Sequence, residues 1–100
     1  MQFFVFGKPQ EKLIRNWSSP EIQELVAAEF AKSREYYSRG VLRQISTLGD
    51  SKGVVCIFET DSLEQLHELV AGYPLQEHGY VKHEIYAMQP YPGFVSSTGA

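Results

Sequence analysis

The chain has 100 residues, 43% of them hydrophobic and 21% charged, and twelve acids against nine bases give a formal net charge of −3. That length holds one domain able to bury roughly two thirds of the surface its unfolded form exposes. The balance argues against intrinsic disorder, and the acidic excess without a dense Lys/Arg cluster argues against nucleic acid as a partner.

The start, Met1-Gln2-Phe3-Phe4-Val5-Phe6-Gly7, lacks the basic residues and long apolar run of a secretory signal. No stretch approaches the roughly 18 apolar residues of a membrane span. A cytoplasmic protein without a membrane partner is expected. The single cysteine, Cys56, lies within Val54-Val55-Cys56-Ile57-Phe58 and reads as a small buried hydrophobe.

Phe3 to Phe6 is a short apolar run stopped by Gly7 and Pro9, which suits a strand buried on both faces. Lys8 to Trp17 is polar and irregular. Ser18-Ser19-Pro20-Glu21 then supplies a capping hydroxyl, a first-turn proline and a first-turn acid, so a helix starts there. Ile22, Leu25, Val26, Phe30, Tyr36 and Tyr37 follow a period of about 3.6, and Gly40 stands where a left-handed cap ends a helix. Val41 to Leu48 and Val54 to Glu59 read as strands joined by the hairpin loop Gly49 to Gly53.

Asp61 or Ser62 can cap a second helix, with Gln65 closing a capping box and Leu63, Leu66, Leu69 and Val70 as its apolar side. Gly72 and Pro74 end it, and Tyr73 to Gly79 is expected as a loop. From Tyr80 to Met88, Val81, His83, Ile85 and Ala87 alternate with Tyr80, Lys82, Glu84 and Tyr86, the pattern of an edge strand. The proline-rich stretch from Gln89 to Phe94 forms no regular element, yet its aromatics can reach onto a neighbouring subunit. A domain over 1–95 with 89–95 as a C-terminal arm, and a frayed tail at 96–100, are expected.

The order βαββαβ specifies an α+β, ferredoxin-like domain: a four-stranded antiparallel sheet with both helices on one face and the two apolar strands central. Helices cover one face only. The other would leave Phe and Val side chains in water, so a homodimer joined sheet to sheet, or a larger homo-oligomer, is expected.

Most residue types that could carry chemistry read more simply as structure. The three histidines, His67, His78 and His83, show no metal-ligand spacing and have no cysteine partners. His67 falls at the border of an apolar helix stripe, where a packing role outweighs a catalytic one. The glycines form no phosphate loop, so neither metal nor nucleotide cofactor is expected.

Glu29 is different. On a wheel of about 100° per residue it falls near the middle of the stripe formed by Ile22, Leu25, Val26 and Tyr36, with Ser33 one turn on. A carboxylate facing an apolar space loses hydration, its pKa rises toward neutrality, and it becomes a usable general base. The alternative is that Glu29 pairs with Arg43 or Lys82, or reaches water at the helix edge.

The run Ser62-Leu-Glu-Gln-Leu-His67-Glu-Leu-Val-Ala-Gly72-Tyr-Pro74-Leu75, ahead of Glu84-Ile85-Tyr86-Ala87-Met88, resembles the muconolactone isomerase family. The resemblance extends through Phe3-Phe4-Val5, Glu29, Tyr36 to Gly40 and Ile57-Phe58. It implies a dimeric α/β barrel and cofactor-independent proton transfer on a small lactone or related carbonyl compound, with Glu29 on the family's helix-borne glutamate. Phe4 replaces the family's first-strand histidine, Val26 replaces a lysine one turn before the glutamate, and Val41 to Leu48 carries no tryptophan. The resemblance thus implies a pocket for a more apolar molecule, with Glu29 catalytic and Ser33, Tyr36, His67, Phe4 and Val26 around the substrate. It predicts a closed apolar cavity between the first long helix and the sheet.

A non-catalytic module that binds a small molecule or only assembles stands as the alternative, and in it Glu29 is salt-bridged or wet. A third reading, another activity of dimeric α/β barrels, rests on fold analogy.

Overall fold

Four strands, β1 (Gln2–Pro9), β2 (Leu42–Thr47), β3 (Val54–Glu59) and β4 (Val81–Met88), pair antiparallel in the order β2-β3-β1-β4. The computed structural model describes residues 1–94. The tail expected to fray at 96–100, and the last residue of the arm, lie outside the described residues. β1 and β3 are central, as their two-sided apolar runs require, and the chain is an α+β, ferredoxin-like fold.

Alternation along the strands divides the sheet into two faces. Phe3 and Val5 of β1 and Cys56 and Phe58 of β3 are buried under the helices, while Phe4, Phe6, Val55 and Ile57 are half-buried on the opposite face. β1 continues past Gly7 to Pro9 because Gly7, Lys8 and Pro9 pair with His83, Lys82 and Val81 of β4. The apolar run marked the strand's core, not its end.

The long helix α2 (Pro20–Ser38) starts where its signals place it: Ser19 Oγ accepts the Ile22 amide at 3.1 Å and Pro20 occupies the first turn. It ends before Gly40, whose φ of +79° is left-handed backbone that glycine adopts without strain. Its buried stripe is narrower than the spacing predicts. Ile22, Val26 and Tyr36 are buried and Leu25 half-buried, but Phe30 and Tyr37 are exposed.

The helix α3 (Leu63–Ala71) is capped by Ser62, whose Oγ accepts the Gln65 amide at 3.1 Å. Gln65 Oε1 reaches back to the amide of Asp61 at 2.8 Å, a capping box displaced by one residue. Two further short helices interrupt segments expected to be irregular. α1 (Glu11–Arg15) follows β1, and α4 (Pro74–Glu77) follows α3. Each exists to bury one leucine, Leu13 and Leu75.

The apolar interior forms two clusters. The larger joins Phe3, Val5, Tyr36, Leu42, Cys56, Phe58, Leu66, Leu69, Val70 and Tyr73, and so locks α2 and α3 onto β1 and β3. The smaller joins Leu13, Ile22, Val26, Leu75 and Val81, and closes the end of the sheet where both short helices sit. α2 runs along both clusters, and Glu29 and Ser33 lie on it between Val26 and Tyr36.

Candidate active site

Where α2 passes from one apolar cluster to the other, its inward positions are polar. Glu29 and Ser33 continue the stripe that Ile22 and Val26 begin and Tyr36 ends, at the spacing of one helical turn. Both are half-buried.

Each finds its partner in the segment that follows α3. Glu29 Oε1 accepts the Leu75 amide at 3.0 Å, one of the orphan N–H groups in the first turn of α4. Ser33 Oγ and the Tyr73 hydroxyl lie 3.0 Å apart. The Tyr73 ring stacks on the His83 ring, with centroids 5.7 Å apart and planes 20° from parallel. His83 Nδ1 in turn lies 2.7 Å from Gln76 Oε1, and Gln76 is the residue after Leu75. The contacts close a ring, from Glu29 through Leu75, Gln76, His83, Tyr73 and Ser33 back to the helix.

Ionisation in this ring is governed by burial. Loss of hydration raises the Glu29 carboxyl from its ordinary 4.5 to about 7, against the smaller opposing pull of the Leu75 amide. Burial lowers the His83 imidazole from 6.5 to about 4, so the ring is neutral at physiological pH. Burial also raises Tyr73, a rise opposed by its Ser33 bond and reinforced by the charge of Glu29. The Cys56 thiol rises to about 12 through burial and the Glu29 charge, and is no nucleophile.

Among the described residues Glu29 has no ion-pair partner, and its second oxygen has no hydrogen-bond partner. Arg43 does not reach it. The Arg43 Nε donates to Gly40 O at 2.8 Å, and Lys82 is exposed. Beside the ring, a cleft of about 520 Å³ between α2 and β2 is lined by Ser33, Arg34, Tyr37, Ser38, Arg43, Gln44 and Ile45. It opens to solvent and carries two arginines at its rim, so the cavity is neither closed nor wholly apolar as expected.

The other expected pocket residues scatter. Tyr36 lies beside the ring, but its hydroxyl is engaged, donating to Leu69 O at 2.5 Å. Val26 belongs to the smaller apolar cluster. Phe4 points to the far face of the sheet, its ring 6.1 Å from that of Tyr86, because it alternates with the inward Phe3 and Val5. His67 is exposed on α3 between the buried Leu66 and Leu69. The histidine near Glu29 is His83, which shares the inward phase of Val81 and Ile85; that alternation was the signal for it. Tyr73 and Gln76 gave no signal, since both lie in a segment too short to show a period.

Among the described residues no group of three or more His, Cys, Asp or Glu could hold a metal ion, and no helix is long and apolar enough to cross a membrane.

A four-stranded antiparallel sheet under two main helices, with an unpaired carboxylate between them, defines a ferredoxin-like α+β protein with a single buried acid. The chain belongs to the muconolactone delta-isomerase family, whose family model matches residues 3–93. A solved structure of muconolactone isomerase resembles it with a TM-score of 0.75 at 21% identity, covering 97% of this chain and 97% of that one. The 5-chloro-2-hydroxyhydroquinone dehydrochlorinase from Burkholderia phenoliruptrix AC1100, in complex with 2,5-dihydroxybenzoquinone, resembles it with a TM-score of 0.66 at 16% identity, covering 93% of this chain and 98% of that one. At these identities the likeness is one of fold. No curated protein matches the chain at a significant level.

Proposed function

We propose that the chain is a cofactor-independent proton-transfer enzyme acting on a small lactone or related carbonyl compound, with Glu29 as general base. The reading is carried by the position of Glu29: one oxygen is held by the Leu75 amide, while the other has no partner among the described residues. Glu29 would take the proton from a carbon next to the carbonyl, leaving the C–H electron pair in an enolate. Returning the proton at another carbon moves the double bond. A carboxyl near 7 can do both at neutral pH, since neither its acid nor its base form is strongly disfavoured. The names of the two similar structures, an isomerase and a dehydrochlorinase of small oxygenated molecules, lend support.

The test is deuterium exchange at the carbon next to the carbonyl of an unsaturated butenolide, followed by NMR. Glu29→Gln keeps an oxygen for the Leu75 amide and is expected to slow exchange at least about a hundredfold. Equal exchange in both proteins would remove Glu29 as the base and leave a binding or assembly module as the better reading.

The same proposal takes the working form as a homodimer joined sheet to sheet, or a larger homo-oligomer built from it. The face opposite the helices presents Phe4, Phe6, Val55 and Ile57 half-buried and Tyr86 exposed, a surface that a second copy would cover. The arm, with Tyr91 and Phe94 exposed, would extend that contact. Native mass is expected to be a multiple of 11.4 kDa that falls to the single chain in Ile57→Glu. A wild-type protein of single-chain mass sinks the dimer.

A further inference from the structure

Three observations meet at His83. It lies on β4 directly opposite Gly7, and a Cβ at Gly7 would stand 3.3 Å from His83 Nε2, so the missing side chain leaves the imidazole its room. Tyr73 stacks on the ring and fixes its plane. Gln76 presents its amide oxygen to Nδ1 at 2.7 Å. An amide oxygen only accepts, so Nδ1 carries the proton and donates it.

A neutral imidazole protonated at Nδ1 has its lone pair on Nε2. That atom has no hydrogen-bond partner among the described residues. The ring of contacts holds no lysine or arginine: its members are Glu29, Ser33, Tyr73, Leu75, Gln76 and His83. Nothing in it would compensate a carboxylate, and the Nε2 lone pair would repel one. A carbonyl oxygen has no proton to give. The group that fits Nε2 is a hydroxyl.

We infer that His83 is a substrate-binding residue whose Nε2 accepts a hydrogen bond from a hydroxyl of the ligand, so that the site takes an uncharged hydroxylated carbonyl compound. That the ligand is also a substrate rests on the proton-transfer reading of Glu29; the binding role of His83 does not. Burial keeps the imidazole neutral across the physiological range, which preserves the acceptor. A charged substituent on the same ligand would have to lie outward, by Arg34 and Arg43 on the rim of the cleft.

The experiment uses the full chain with 15N-labelled histidine, the His83 signals being assigned from His83→Phe. Long-range proton–nitrogen NMR is expected to show the proton on Nδ1; a proton on Nε2 overturns the inference with no ligand needed. The probes are 4-hydroxyacetophenone and its methyl ether, 4-methoxyacetophenone, at millimolar concentration. The phenol is expected to shift the Nε2 resonance and to bind about fivefold tighter than the ether, a preference lost in His83→Phe. An unmoved Nε2 resonance, or equal binding of the two probes to the wild type, overturns it. Should wild type and Glu29→Gln exchange the butenolide proton equally while the phenol preference holds, the proton-transfer reading falls and the His83 assignment stands.

Discussion

The two regions that α2 touches are built on opposite rules. Around Phe58 and Leu66 every inward group is apolar and fully buried, and the one hydroxyl, on Tyr36, is satisfied by a backbone carbonyl. Around Glu29 the inward groups are polar, half-buried and bonded to one another, and the protein bears the cost of keeping a carboxyl and an imidazole away from water. The first region holds the fold together, and the second is held in place by it. A site whose groups are desolvated this way cannot stabilise itself.

The contrast can be pressed hardest in the apolar region. Leu66→Ala leaves a cavity under β1 and β3 and is expected to cost about 3 to 4 kcal/mol of unfolding free energy, read by urea denaturation. A cost below about 1 kcal/mol would mean that this cluster is not what carries the stability.

Glu29→Gln is expected to do the reverse. Between pH 4.5 and about 7 the folded chain keeps a proton on Glu29 that the unfolded chain has released, so this contribution falls as pH rises through that window and stays low above it. At full value the shift would correspond to roughly 3 kcal/mol, and screening of the partly exposed carboxyl brings it to about 2 kcal/mol. The variant should be more stable than wild type by that amount above pH 7, with the advantage gone near pH 4.5. His83 acts with the opposite sign: its contribution is full above 6.5 and lost as pH falls toward 4. A Glu29→Gln protein no more stable than wild type at high pH would show that the carboxyl is solvated.

The smallest effect is expected at Tyr73→Phe, which removes the bond to Ser33 and leaves the stack on His83. It should cost about 1 kcal/mol and leave the tautomer of His83 unchanged. A loss of several kcal/mol would instead place Tyr73 with the apolar region.

Reading the sequence gave the strands, the two main helices and their caps because each is marked by at least two turns of period or a full alternation. α1 and α4 were not legible, since five and four residues around one buried leucine have no measurable period. At the site, Glu29 and Ser33 were visible as polar breaks in an apolar stripe. His83 was visible in the same way on β4, but an edge strand exposed at most of its positions drew less weight than the histidine at a helix stripe. His67 failed for a related reason, because a border position on a wheel turns outward with a rotation of a few tens of degrees. Phe4 failed because a resemblance gives a place in the chain and not a face of the sheet.

Tyr73, Leu75 and Gln76 stand within four positions of one another, and between them they contact Ser33, Glu29 and His83. The segment from Gly72 to Gly79 is therefore a cassette. No strand of the sheet runs through it, so its sequence can change without moving any strand register, and one exchange there would replace three partners of the site at once. In such an architecture new specificity can arise by recombination of a single short loop, while the scaffold and its acid stay as they are.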